Sequence, residues 1–299
     1  MTKKLICIVG PTAVGKTAVG VQLAKKFNTV VLNADSRQFY QEMSIGTAKP
    51  TPEELDGVPH LMLDFLSIHQ NYTVSQFETE AISVLEQQFL DKDVVILVGG
   101  SGLFVNALCF GLDEIPDIEE NIRSKIRDDY QQYGLKYSVD YLQSLHPLAC
   151  ENLDLNNPHR VLRALEVLIQ FNKRIQDFQT KSTKNRNFEC VFIGLNLPRE
   201  ELYQKINSRV DLMMANGLLN EVKKLEEFRD LTALKTVGYQ EFYTYGYEGD
   251  NLKTAIEHIK QASRRYAKRQ ITWFKKTPQI TWFSPCDFNS IVNFATQNI

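Results

Sequence analysis

Short apolar runs alternate with helix-like segments along much of the chain. Residues 5–9 form a continuous apolar run, which is typical of a strand buried on both faces of a parallel sheet. The segment 74–90 has the spacing of an amphipathic helix. Such alternation predicts a doubly wound α/β fold with helices flanking a parallel sheet. The further β-rich runs are 30–32, 61–65, 94–98, 191–197 and, late in the chain, 280–283.

The pattern changes between residues 117 and 186, where helical periodicity and dense charge replace the strand-like runs. Asn157 and Pro158 precede the amphipathic stretch HRVLRALEVLIQF, and this order is typical of a helix start with Asn157 as its cap. We therefore predict a helical insertion, 117–186, within a core formed by 1–116 and 187–299. The polar tract 181–187 is interpreted as the return linker, and amphipathic helix is predicted again from 199 to 228.

A glycine-rich motif, GPTAVGKT, follows the first predicted strand directly and precedes a helical segment. This is the P-loop pattern, in which successive backbone N–H groups surround phosphate oxygens at a helix N-terminus. The lysine supplies a point charge to the terminal phosphate, and the hydroxyl after it is placed to bind Mg²⁺. The predicted fold is therefore a P-loop NTPase-like α/β fold. Its phosphate site comprises Gly10, Pro11, Thr12, Ala13, Val14, Gly15, Lys16 and Thr17.

An acidic residue is expected near the phosphate site, because P-loop proteins usually hold their metal with a carboxylate at the end of another strand, the Walker-B strand. The best candidate for that strand is the run 94–98. The run 94–98 ends instead in Gly99, Gly100, Ser101 and Gly102. Asp35 follows the second predicted strand, and the carboxyl ends of parallel strands line the ligand crevice. Asp35 is thus a candidate metal partner or general base. The alternative is that Asp35 or Ser36 caps a helix.

Composition narrows the class of protein. Hydrophobic residues make up 43% and charged residues 23% of the 299 residues, which is typical of a folded globular chain. The net charge of −2 gives no bulk signal for a nucleic-acid partner. No stretch approaches the roughly 20 apolar residues of a membrane span, so we expect a cytoplasmic protein without a membrane partner. The five scattered cysteines lack a zinc-like spacing and are expected to be reduced, mostly buried thiols.

Seven short sequence motifs occur along the chain in this order: GPTAVGKT, ADSRQFY, IGTAKP, LVGGSGLF, NPHRVLRALEV, KTVGYQEF and AKRQITWF. Together they closely resemble the tRNA dimethylallyltransferase family, the bacterial tRNA isopentenyltransferases. The resemblance extends over residues 4–282. It is far more specific than a P-loop alone, which many kinases, ATPases and GTPases share.

The resemblance implies transfer of a dimethylallyl group from dimethylallyl diphosphate to N6 of the adenosine next to the anticodon, position 37 of tRNA, giving N6-isopentenyladenosine. On this interpretation the P-loop holds a diphosphate leaving group with Mg²⁺ at Thr17, and Asp35 is the base that accepts the N6 proton. Lys16 and, by similarity, Arg209 stabilise the diphosphate charge. From its pattern alone, Arg209 could equally be a solvated arginine on an amphipathic helix.

The resemblance also implies a tRNA partner, bound through its anticodon stem-loop by a protein that we expect to be a monomer. Ser101 stands where the family usually has threonine, and His159 stands where glutamine is common, so a solvated or core histidine stays an alternative. The implied tRNA contacts are Asp35, Ser36, Arg37, Gln38, Ser101, Arg123, His159, Arg160, Val161, Leu162, Arg163, Lys235, Thr236, Val237, Gly238, Tyr239 and Gln240.

A basic run without acidic residues, 258–276, adds a candidate RNA-binding surface, although a solvated helix face would have the same pattern. Three other functions stay open from the residues themselves. A P-loop small-molecule kinase shares the phosphate motif, an adenylate isopentenyltransferase shares the core, and a non-catalytic nucleotide switch would use the P-loop to order its loops. The insertion and the basic run favour tRNA over a free nucleotide as the acceptor.

Overall fold

The structure is a computed structural model that describes residues 2–179 and 183–299. The chain divides into two compact units, which we call the core (1–111 and 185–299) and the helical unit (112–184). No described helix has the length and apolar character needed to cross a membrane.

The core contains a six-stranded sheet with helices on both faces. Its strands are β1 (Lys3–Val9), β2 (Val31–Asn33), β3 (His60–Leu61), β4 (Val94–Gly99), β5 (Phe188–Leu195) and β6 (Thr281–Phe283). Its helices are α1 (Lys16–Lys26), α2 (Pro52–Leu55), α3 (Val74–Asp91), α4 (Gly102–Phe110), α7 (Arg199–Ala215), α8 (Leu218–Lys224), α9 (Gln240–Tyr245), α10 (Gly249–Phe274) and α11 (Phe288–Gln297).

All six strands are parallel and lie in the order β3-β2-β4-β1-β5-β6. The central strand β1 pairs with β4 on one side and β5 on the other. Successive side chains of β1 are buried on opposite faces: Leu5 and Cys7 join one apolar cluster, whereas Ile6 and Ile8 join the other. This double burial explains the continuous apolar runs in the sequence, and the predicted parallel α/β fold is confirmed.

The sheet order brings three loops to one edge. The carboxyl ends of β2, β4 and β1 are adjacent, because β4 lies between the other two strands. The segment after β1 is the P-loop, the segment after β2 contains Asp35, and the segment after β4 contains Ser101. Ligands of open α/β sheets bind at this edge.

Two predicted elements differ from the observed ones. The run 61–65 contributes only its first residue to β3, because Met62 and Asp64 adopt left-handed φ angles of 55° and 60° that end the strand. The predicted helix over 199–228 is interrupted at Asn216 and Gly217, so that α7 and α8 are separate.

The helical unit contains α5 (Glu120–Leu145), interrupted by the non-helical Gly134, and α6 (Pro158–Phe171). Short 3₁₀ segments follow each helix, Pro147–Cys150 and Ile175–Phe178. The predicted start of α6 is confirmed, since the Asn157 side chain accepts a hydrogen bond from the Arg160 N–H at 3.3 Å. A separate apolar cluster that includes Leu142, Val161 and Leu165 holds this unit together.

The end of the predicted insertion requires a correction at Arg186. Its guanidinium donates hydrogen bonds to the carbonyl oxygens of Ala107 and Leu108, at 2.7 and 2.9 Å, and binds Glu78 at 2.7 Å. All three partners are core residues, and the helical unit spans 112–184, whereas the predicted insertion was 117–186. Residues 181 and 182 of the predicted linker lie outside the described residues.

The ion pair between Arg186 and Glu78 is nearly buried, with side-chain exposures of 10% and 9%. We expect Arg186→Ala to lower the free energy of unfolding by about 3–5 kcal/mol, because it removes one member of a nearly buried ion pair together with the donors to the Ala107 and Leu108 carbonyls. Chemical denaturation would measure the change. Lys205→Ala, which removes a half-exposed pair with Glu201, is the matched control and should cost less than about 1 kcal/mol. Equal effects of the two variants would contradict this account.

Candidate active site

A cavity of about 500 Å³ opens at the carboxyl edge of the sheet in the core. Three of the predicted site segments line it together: the P-loop, the turn that contains Asp35 and the residues that follow β4. Helices α7 and α10 and the segment 235–240 form the remaining walls. The cavity is therefore built from segments that are remote in the sequence and adjacent in the fold.

The P-loop has the backbone conformation that its motif predicts. Gly10, Ala13 and Gly15 have positive φ angles of 146°, 63° and 101°, and α1 begins at Lys16. The ammonium group of Lys16 donates a hydrogen bond to the carbonyl oxygen of Pro11 at 2.8 Å. Burial lowers the pKa of Lys16 to about 8, with the positive charge of Arg209 acting in the same direction and the Asp35 carboxylate opposing it. A buried cation of this kind is poised to bind an anion.

Arg209 is not the solvated arginine that its pattern allowed. It lies on α7 and lines the cavity, where its guanidinium donates a hydrogen bond to the Thr12 hydroxyl at 3.2 Å. Burial lowers its pKa, and the charge of Asp35 opposes the effect. Lys16 and Arg209 thus hold two positive charges close to one carboxylate.

Asp35 does not cap a helix, because residues 36–39 form turns rather than a helix. Its carboxylate accepts a hydrogen bond from the Arg37 N–H at 3.1 Å. The Ser101 hydroxyl accepts a hydrogen bond from the Ser36 N–H at 3.0 Å and lies 3.1 Å from the Ser36 hydroxyl. Ser101 therefore fixes the turn that presents Asp35 to the cavity.

Tyr266 lines the cavity. The sequence pattern placed it only within the basic run. Burial, followed by the charge of Asp35, raises its pKa to about 12, whereas a hydrogen bond with Ser101 lowers it. Its hydroxyl therefore stays protonated over the physiological range and can donate a hydrogen bond beside Asp35 and Ser101.

Gln270 is a buried residue that sequence reasoning missed. Its side-chain carbonyl accepts a hydrogen bond from the Thr12 N–H at 2.8 Å, and its amide nitrogen donates to the Gly100 carbonyl at 2.9 Å. A Cβ atom at Gly100 would lie 2.4 Å from that nitrogen, which explains why glycine follows β4 there. Gln270 thereby joins the P-loop to the β4 loop.

Glu221 supports another wall from outside the cavity. Its carboxylate accepts hydrogen bonds from the N–H groups of Ser44, Ile45 and Gly46 at 2.8–3.0 Å. It also accepts one from the Tyr239 hydroxyl at 2.6 Å. These four bonds fix the loop from which Gly46 and Thr47 reach the cavity.

One side of the cavity is apolar. Ile206, Val210 and Met213 of α7 face it together with Ile259 of α10. Residues 206, 209, 210 and 213 have helical spacing, so they share one face of α7. The signal that could have identified this wall is Arg209, a charged residue within an apolar stripe.

The predicted tRNA-contacting residues of the core occupy three environments. Gln38 donates hydrogen bonds to the carbonyl oxygens of Thr47 and Ala48, at 3.2 and 2.9 Å. Tyr239 is completely buried, so its side chain belongs to the core rather than to a surface. The others line the cavity: Asp35, Ser36, Arg37, Ser101, Lys235, Thr236, Val237, Gly238 and Gln240.

In the helical unit, His159 and Arg160 are exposed at the start of α6, so that His159 is not a core histidine. Arg123 and Arg163 are partly exposed and pair with Glu120 and Glu166, respectively. Val161 is completely buried and Leu162 packs against the same apolar cluster. The side chains of Val161 and Leu162 are therefore structural.

The basic run lies on α10 and just beyond it. Lys260 pairs with Asp211 at 2.8 Å, and Arg264 donates to the Asn207 side chain at 2.6 Å, so these two cations are engaged within the core. Five others are exposed and make no ion pair among the described residues: Arg265, Lys268, Arg269, Lys275 and Lys276.

A divalent metal finds suitable donors at the P-loop. Thr17 lies in the first turn of α1, and its hydroxyl has no hydrogen-bond partner within the described part of the chain. Hydroxyl and carboxylate oxygens are the hard ligands that Mg²⁺ prefers, and the carboxylate of Asp35 lines the cavity beside the P-loop residues Thr12 and Ala13. The residues present therefore fit Mg²⁺.

Comparison with known proteins matches this arrangement. The family model described as IPP transferase matches residues 38–277. The tRNA dimethylallyltransferase of Cytophaga hutchinsonii is 44% identical over 294 residues, covering 98% of this chain and 97% of that protein. The crystal structure of the full-length tRNA isopentenylpyrophosphate transferase of Bacillus halodurans is similar with a TM-score of 0.72 and 38% identity, covering 99% of this chain and 96% of that one.

A eukaryotic dimethylallyltransferase described as acting on tRNA has a TM-score of 0.80 and 27% identity, with coverage of 99% of this chain and 77% of that one. The likeness extends over nearly the whole chain in sequence and in fold, and it agrees with the resemblance found from the motifs. The chain belongs to the IPP transferase family.

Proposed function

We propose that this protein transfers a dimethylallyl group from dimethylallyl diphosphate to N6 of the adenosine next to the anticodon of tRNA. The observation that carries the proposal is the cavity itself, which Asp35, Arg209 and the P-loop residues Thr12 and Ala13 line together with an apolar wall, while the charge of Lys16 interacts with Asp35. A phosphate-binding end, an apolar side and a base are the three features that prenyl transfer to an amine requires.

The diphosphate would bind at the P-loop. The loop amides at the start of α1, Lys16 and Arg209 are the groups that can donate to its oxygens. Negative charge develops on these oxygens as the allylic C–O bond breaks, so fixed positive groups stabilise the transition state more than the ground state. Mg²⁺ held at Thr17 would neutralise part of the same charge.

The five-carbon group would lie against the apolar wall of α7 and α10. Ile206, Val210 and Met213 offer surface without hydrogen-bonding groups, which suits a branched hydrocarbon. The same wall keeps water from the carbon that is attacked, where water would hydrolyse the donor.

Asp35 would act as the general base. As the adenine N6 forms its bond to the allylic carbon, diphosphate leaves with the C–O bonding electrons and one N6 proton passes to the Asp35 carboxylate. The Arg37 N–H and the Ser36–Ser101 contacts hold Asp35 in place, and the Tyr266 hydroxyl lies beside it. To reach this position the adenine must leave the anticodon-loop stack.

The tRNA partner would be bound by cations of both units. The exposed cations of α10 and the segment after it offer phosphate contacts in the core, and Arg123, His159, Arg160 and Arg163 offer contacts in the helical unit. We further propose that the anticodon stem-loop is the bound part of the tRNA and that the protein acts as a monomer.

Replacing Asp35 tests the chemical step. We expect Asp35→Asn to lower kcat for transfer of labelled dimethylallyl groups to unmodified tRNA by about 10²–10⁴-fold, because the amide cannot accept the N6 proton. The KM for dimethylallyl diphosphate should change little. Asp93→Asn, at the opposite edge of the sheet in an exposed pair with Lys3, is the control and should keep full activity. Label transferred to AMP but not to tRNA would instead support an adenylate isopentenyltransferase.

Diphosphate binding should depend on pH through Lys16. The protonated ammonium is the form that binds an anion, and the pKa of this group lies at about 8. Affinity for dimethylallyl diphosphate should therefore be highest below pH 8 and should fall above it, approaching about tenfold per pH unit. Calorimetric titration between pH 7 and 9.5 would measure this. Lys16→Ala should bind more weakly with no such decline, and an identical decline in this variant would assign the titration to another group.

The exposed cations of the basic run should contribute through RNA phosphates. Lys268→Gln and Arg265→Gln should each weaken tRNA binding and reduce the slope of log affinity against log salt by about 1. Lys253→Gln, which removes an exposed cation in the first turn of the same helix, is the matched control. Filter binding at several salt concentrations would compare them. An unchanged slope in the Lys268 and Arg265 variants would place the RNA elsewhere.

A further inference from the structure

Three cysteines that are far apart in the sequence meet within the core. Cys7 belongs to β1, Cys109 lies in the last turn of α4, and Cys190 belongs to β5. Their sulfur atoms all lie within 4.8 Å of one another, and those of Cys7 and Cys109 are 3.6 Å apart. The expectation of mostly buried thiols holds only for Cys7 and Cys109, because Cys150 and Cys190 are partly exposed and Cys286 is exposed.

The strand register explains why these thiols converge. Cys190 pairs with Leu5, and Cys7 pairs with Phe192. Side chains two residues apart on paired strands share a face, so Cys7 and Cys190 are diagonal neighbours on the face that α4 covers. Cys109 then approaches them from above the sheet. No local spacing such as CxxC could have indicated this cluster.

The spacing suits a metal ion bound by three sulfurs. Metal–thiolate bonds of about 2.3 Å in a trigonal plane place the sulfur atoms about 4 Å apart. The sulfur atoms of Cys7 and Cys109 are 3.6 Å apart, and no separation within the cluster exceeds 4.8 Å. Binding would therefore need only small movements of three side chains on elements that already pack together.

The donor set selects the metal. All three ligands are thiols, and among the described residues no imidazole or carboxylate joins the group. Soft thiolate ligands favour Cu(I) and Zn(II), but structural Zn(II) is almost always four-coordinate. A three-sulfur set in apolar surroundings suits the singly charged Cu(I), which needs no fourth ligand.

Charge and access agree with this choice. The guanidinium of Arg186 donates hydrogen bonds to the carbonyl oxygens of Ala107 and Leu108, next to Cys109, so that a positive charge lies near the sulfurs. The partly exposed Cys190 provides the route of entry for the ion.

We propose that Cys7, Cys109 and Cys190 form a binding site for one Cu(I) ion. Each thiol that is protonated before binding releases its proton as its sulfur bonds to the metal. The site is independent of the proposed prenyl transfer. It nonetheless joins elements that lead to the cavity, because β1 continues into the P-loop and α4 begins after Ser101.

The test uses the full chain carrying Cys150→Ser and Cys286→Ser, which removes the two thiols outside the cluster. Titration with Cu(I) under anaerobic conditions, against a colourimetric Cu(I) chelator, should show one tightly bound equivalent. X-ray absorption of that sample should show three sulfur neighbours. The thermal transition should rise with the concentration of Cu(I), because the ion binds the folded state.

Adding Cys190→Ala, at a partly exposed position that should tolerate the change, should lower the Cu(I) affinity by at least about tenfold. Circular dichroism would confirm that this variant folds. Retention of the full affinity, or absence of a bound equivalent in the parent, would overturn the proposal. Stoichiometric Zn(II) binding with a fourth oxygen ligand, in preference to Cu(I), would overturn the assignment of the metal. Neither result depends on whether the metal-free protein transfers prenyl groups, so the two proposals are tested separately.

Discussion

The partial burial of two cations beside one carboxylate is the constraint on which the site depends. Lys16 and Arg209 are partly shielded from water at the carboxyl edge of the sheet, and this desolvation lowers the pKa of each. Asp35 compensates only part of this charge. The arrangement is therefore most stable when further negative charge arrives, so the same electrostatics that disfavour the empty site favour a diphosphate.

Such a site must be held rigidly, since its groups would otherwise move toward water. Gln270 uses both ends of its amide to fix the P-loop against the β4 loop. Glu221 accepts hydrogen bonds from three backbone N–H groups and from the Tyr239 hydroxyl, and these bonds fix another wall of the cavity. Neither residue needs to touch a ligand. Their contribution is preorganisation, which lets the reacting groups act without first rearranging.

The sequence predicted those features that local chemistry specifies. The P-loop, the strand runs and the cap at Asn157 depend on neighbouring residues, and the structure contains each of them. It could not predict contacts made between distant segments. Gln270 carries no motif that reveals its bond to Thr12, and Arg209 fitted a solvated helix equally well until the fold buried it. The run 61–65 predicted a longer strand than β3, because the left-handed φ of Met62 leaves no mark in an apolar run.

Gln270 has a consequence for how two ligands influence one another. It lies on α10 within the basic run, and it binds the P-loop directly. A small rotation of α10 would thus be transmitted to the Thr12 amide through a single rigid side chain. If RNA bound at α10 favours the ordered P-loop, then an anion that orders the P-loop favours RNA binding. By thermodynamic reciprocity, the two effects are equal in size. One glutamine thus makes the affinities of the two sites depend on each other.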